Sequence, residues 1–63
     1  MTKYKFTIEV VRDNEHIICI YVRECKSMFD ALQKASIYAG FQMYDENADY
    51  IQRVEVERYE EDA

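Results

Sequence analysis

The spacing of apolar residues predicts an α+β fold: one small β-β-α-β domain, a three-stranded antiparallel sheet with a single helix packed on one face. Two alternating runs, Lys3–Arg12 and His16–Cys25, stand either side of a short polar turn. A stretch with helical spacing, Ser27–Gly40, follows them, and a third alternating run, Tyr50–Tyr59, comes last. Alternation with a period of two marks a strand with one buried face, whereas apolar recurrence at three and four residues marks an amphipathic helix. With 63 residues the chain makes one domain, 1–63. Chains of this size bury only about 60% of their unfolded surface, so the margin of stability is small. Residues 60–63, a run of acid and alanine, are expected to fray.

In the first run Tyr4, Phe6, Ile8 and Val10 share one face, and Lys3, Lys5, Thr7 and Glu9 share the other. Asp13-Asn14-Glu15 reads as a three-residue turn, with Asn tolerating a left-handed backbone. That loop length would set Ile8 opposite Ile20 and Phe6 opposite Val22, leaving Ile17, Cys19 and Tyr21 on the reverse face. A strand that is apolar on both faces needs two covers, and the chain has one helix. A second copy is the expected second cover, in a homodimer formed through Ile17, Cys19 and Tyr21 together with Ile37.

Ser27 is placed to cap the helix, with Asp30 three residues on where a capping-box acid belongs. Met28, Leu32, Ala35 and Ala39 form the predicted core stripe, and Ile37 is a misplaced apolar residue on the polar side. Gly40, the only glycine, is the expected left-handed residue just past the helix end. Phe41–Asp49 then reads as a polar connection, and in the third strand Val54 and Val56 point inward while Arg53, Glu55 and Glu57 point outward. A right-handed crossover from the second strand places the third beyond the first, giving the order 2-1-3. The alternative order puts strand two in the middle.

No constellation of residues makes a reactive centre. Asp45-Glu46-Asn47-Ala48-Asp49 has the D-x-N-x-D opening of an EF-hand loop, but Tyr50 stands where a sharp turn needs Gly, and Val56 where a bidentate Glu should be. Cys19 and Cys25 lie on one strand, roughly 20 Å apart at about 3.3 Å per residue, and cannot bridge each other. With His16 they fall short of the four ligands of a zinc site. His16 has no nucleophile to serve. The chain has no proline, which excludes the proline-amine chemistry of small tautomerases, and it contains no glycine-rich phosphate loop. A non-enzymatic protein without cofactor or metal is expected.

A net charge of −5 and a pI near 4.7 argue against direct contact with nucleic acid or an anionic membrane. No apolar run is long enough for a membrane span and the N-terminal residues lack a signal-peptide core, so a cytoplasmic protein is expected. The charge is unevenly placed: residues 1–40 hold six cations against five carboxylates, residues 41–63 two against eight. The eight are Asp45, Glu46, Asp49, Glu55, Glu57, Glu60, Glu61 and Asp62. Glu55 and Glu57 would stand about 6.6 Å apart on one strand face. Duplex DNA carries a phosphate about every 3.4 Å on each strand, a comparable line density. Tyrosines set beside acid, such as Tyr44, suit a surface that grips a basic protein. The bland counterpart is an acidic face that keeps a small protein soluble.

On these carboxylates, its size and its element order, the chain resembles the small acidic host-takeover proteins of bacteriophages, and among them the DNA-mimic inhibitors of the bacterial nucleoid protein HU. The likeness spans the whole chain and contains no diagnostic motif. It implies a binding protein in the host cytoplasm that covers the DNA site of HU, with the eight carboxylates and Tyr44 as its contact surface. Lys3, Lys5, Arg53 and Arg58 depart from a pure mimic. The alternative expectation is a small dimeric adaptor that binds a protein partner through apolar surface.

Overall fold

A computed structural model describes residues 1–60, and its elements run β1 (Thr2–Arg12), β2 (Glu15–Cys25), α1 (Met28–Asp45) and β3 (Tyr50–Arg58). The sheet order is β2-β1-β3 and both pairings are antiparallel, with α1 lying across one face. The β-β-α-β sequence is therefore as the periodicity implies, and the order 2-1-3 is the one expected from a right-handed crossover. β1 is the central strand, and its helix-side row Tyr4, Phe6, Ile8 and Val10 is buried.

The turn differs from expectation, with large consequences. It has two residues, Asp13 and Asn14, both left-handed at φ 50° and 67°, and Arg12 pairs directly with Glu15. Positive φ at both central positions is the type I′ geometry, whose twist matches that of a hairpin. Dropping one loop residue moves the register by one and turns every β2 side chain to the other face. Ile8 thus faces Cys19 and Phe6 faces Tyr21, in place of Ile20 and Val22. Ile17 and Tyr21 pack into the core beneath the helix, while Ile18 and Ile20 are exposed on the far face.

The helix begins where its cap predicts. Ser27 Oγ accepts the Asp30 amide at 3.1 Å, and Asp30 Oδ2 accepts the Lys26 amide at 2.9 Å. It does not end at Gly40, and the polar connection read at Phe41–Asp49 is helical as far as Asp45. The stop is a Schellman motif built on Asn47 at φ 49°: its amide reaches Tyr44 O at 3.2 Å, and the Ala48 amide reaches Met43 O at 3.0 Å. The buried stripe is Ala31, Ala35, Ala39 and Gln42, so the predicted stripe is displaced, and Met28 and Leu32 are exposed. Tyr38 completes the core, edge-on to Phe6 with centroids 5.0 Å apart and stacked on Tyr21 at 5.2 Å.

In β3 a bulge opposite Glu9 and Val10 makes Gln52 the extra residue. Ile51 and Val54, three apart in sequence, consequently face the same side, opposite Val10 and Ile8.

Candidate functional site

The buried stripe of α1 is mostly alanine, side chains too short to cover β3, where Val56 alone is half-buried and the rest stay exposed. Between α1 and β3 lies an open groove of about 440 Å³, with Leu32, Ala35 and Ala39 on one wall and Ile51, Val54 and Val56 on the other. Its rim is wet: Leu32 is 55% exposed, Ile51 and Val54 41% each. Leaving several large aliphatic side chains half-exposed in one concavity is unfavourable for a chain of 63 residues, because each forgoes about half of the roughly 1.5–3 kcal/mol that full burial contributes.

The eight predicted carboxylates do not form one surface. Asp45, Glu46 and Asp49 lie at the C-terminal end of α1, beside the hairpin turn. Arg12 Nη1 donates to the Glu46 carbonyl at 2.8 Å and stands 3.8 Å from its carboxylate, and Asp49 Oδ2 accepts the Asp13 amide at 3.0 Å. Asp13 and Glu15, from the charge-balanced part of the chain, join them. These five carboxylates around Arg12 form an acidic pole, and the last helical turn has no basic residue to offset its negative dipole end. Tyr44, 87% exposed, stands at the same pole.

Glu55 and Glu57 lie elsewhere, on the sheet face away from the helix. Glu55 is paired with Arg53 and Glu57 with Lys5 at 3.8 Å. Arg53 also reaches Glu9 at 3.1 Å, and His16 Nδ1 contacts the same carboxylate. The His16 contact, followed by Arg53, holds the Glu9 carboxyl below its ordinary value. The acid strand expected to present DNA-like charge is thus locally neutralised. Glu60 follows β3 at the end opposite the pole, and Glu61 and Asp62 fall outside the described residues.

The residues expected at a dimer contact are likewise separated. Ile17, Cys19 and Tyr21 are on the helix-covered side of β2. Ile37 is exposed on the back of α1, away from the buried stripe. Sequence reasoning missed the exposed aliphatic pair Ile18 and Ile20 and the groove wall Leu32, Ile51. Asp13-Asn14 as a two-residue I′ turn was the signal that could have found the first; nothing in strict alternation pairs Ile51 with Val54.

Beneath the helix, the Tyr21 hydroxyl donates to Gln42 Oε1 at 2.9 Å, which satisfies the core's one buried polar side chain. Cys25 is buried and Cys19 half-buried, both as free thiols. Among the described residues no group of His, Cys, Asp and Glu could hold a metal ion, and no helix is long and apolar enough to cross a membrane.

The chain matches no family model, no curated protein and no solved structure.

Proposed function

We propose that the chain is a non-enzymatic interaction protein, an adaptor-like module whose binding surface is the α1–β3 groove and the open β3 edge beside it. The carrying observation is the half-exposed aliphatic wall of Leu32, Ile51 and Val54 in a domain too small to leave such area unused without cost. Affinity purification with the wild type, Leu32→Glu and Asp45→Lys tests it, followed by titration of whatever is captured. A partner that withstands 0.5 M salt, is lost with Leu32→Glu and is kept with Asp45→Lys supports the groove. A partner indifferent to Leu32→Glu refutes it.

A second reading keeps the DNA-mimic expectation and rests on the acidic pole. Asp13, Glu15, Asp45, Glu46 and Asp49 with Tyr44 at their side could occupy the DNA site of a basic host protein such as HU in a bacterial cytoplasm. The pairing of Glu55 with Arg53 and Glu57 with Lys5 removes the strand row from that surface. Titration with purified HU should then show affinity that falls steeply with salt and is lost in Asp45→Lys/Glu46→Lys. Binding that is unchanged by both would end this reading.

A further inference from the structure

We propose that the occupant of the groove-and-edge surface is a second copy of this chain, joined through β3 to β3 across a two-fold axis at Val54 into a continuous six-stranded sheet. The inference rests on the groove being a binding surface, and adds who binds there and in what register.

The backbone is set for it. β3 is an outer strand, and the Tyr59 amide points inward to Lys3 O at 2.9 Å. Strand backbones alternate, so Glu57, Glu55 and Arg53 also turn their amides toward β1, while Arg58, Val56 and Val54 present theirs to the open edge. On the helix side the row is Ile51, Val54, Val56 and Arg58, without proline; its one charge, Arg58, stands four residues from Val54, and the bulge at Gln52 confines regular self-pairing to Arg53–Glu55 of each copy.

Charge selects the register. With the two-fold at Val54, Arg53 of each copy lies opposite Glu55 of the other, twice. These pairs fall at non-hydrogen-bonded positions, where Cα atoms are about 4.5 Å apart and side chains are closest. A two-fold at Arg53 or at Glu55 would set that residue against itself, and one at Val56 would oppose Glu55 and Glu57. On the helix side the same register brings the two half-exposed Val54 side chains together and makes the grooves continuous beneath the two helices. The β2 edge offers no such gain, because its helix-side row of Ile17, Cys19 and Tyr21 already lies under α1.

Sedimentation velocity and native mass spectrometry of the full chain test this. The wild type should be dimeric in the micromolar range. Arg53→Glu and Glu55→Arg, each alone, should weaken association about tenfold or more, since each sets like charges opposite across the axis. An equimolar mixture of these two variants should restore association as a heterodimer, because each then supplies what the other lacks. Should Arg53→Glu lose its fold by setting a second carboxylate beside Glu9, a mixture of Arg53→Cys and Glu55→Cys chains, each in a Cys19→Ser background, gives an independent reading. These positions face each other as a non-hydrogen-bonded pair with Cα atoms about 4.5 Å apart, where cross-strand side chains are closest, so the mixture should cross-link as a heterodimer under mild oxidation. A monomeric wild type, a mixture that fails to associate although both variants fold, or no cross-link overturns the proposal. If the wild type is monomeric yet Leu32→Glu abolishes capture of another protein, self-pairing falls and the groove reading stands. If the wild type is monomeric and Leu32→Glu also leaves capture unchanged, both fall.

Discussion

Replacing Gly40 by alanine should stabilise the protein, and the sign of that effect decides where the helix ends. Gly40 is in the interior of α1, with five more helical residues up to Asp45. A Cβ built on it meets nothing within 4 Å, and its φ is not positive. The substitution therefore brings no clash and no left-handed strain. What remains is propensity: glycine is about 0.8–1 kcal/mol worse than alanine in a helix interior, partly through its larger unfolded-state entropy. For a domain of this size, about 1 kcal/mol moves the thermal midpoint by about 4–8 °C. Circular dichroism melts of Gly40→Ala should thus show a clear rise. In urea, with a slope near 1 kcal/mol/M, the midpoint should move up by somewhat under about 1 M. If Gly40 were instead the left-handed terminating residue, alanine would cost about 1–2 kcal/mol and the midpoint would fall. A lower midpoint refutes the reasoning. Asn47 supplies the counter-measurement: it holds φ 49°, so Asn47→Ala should destabilise by about 1 kcal/mol and Asn47→Gly should not.

Two further outcomes follow from the core and the cap. Tyr21→Phe leaves Gln42 Oε1, on a side chain only 4% exposed, without its donor, at about 1–3 kcal/mol in urea unfolding. Adding Gln42→Leu should recover most of it, and a single variant as stable as wild type counts against the bond. Asp30 is held below the usual carboxylate range by the Lys26 amide first and then by Lys34, 3.3 Å away. A carboxylate with a depressed folded pKa contributes stability above its unfolded pKa and loses it as pH falls through the folded one. Asp30→Asn should accordingly flatten the acid limb of the stability–pH curve; an unchanged limb would show that the cap charge does nothing.

Much of the fold was legible because it depends on local patterns. Period-two runs located all three strands, and Ser27 with Asp30 located the start of α1, because capping needs only neighbouring groups. The helix end was misplaced because glycine is the usual left-handed residue, whereas here Asn47, which also tolerates that conformation, takes the role seven residues later. The site was legible only as ingredients. A count of acids by sequence position predicts a charged face, yet antiparallel β3 carries its glutamates away from the pole and against Lys5 and Arg53.

The sequence by itself determined element type, order and the acidic balance, since backbone preference, side-chain period and charge are properties of neighbours along the chain. Tertiary structure alone decided which β2 face is inside, which carboxylates stand together, and that Leu32, Ile51 and Val54 share a groove. The physical reason is that one loop residue or one bulge inverts a face, and an ion pair joins residues 44 positions apart, as in Glu9 and Arg53.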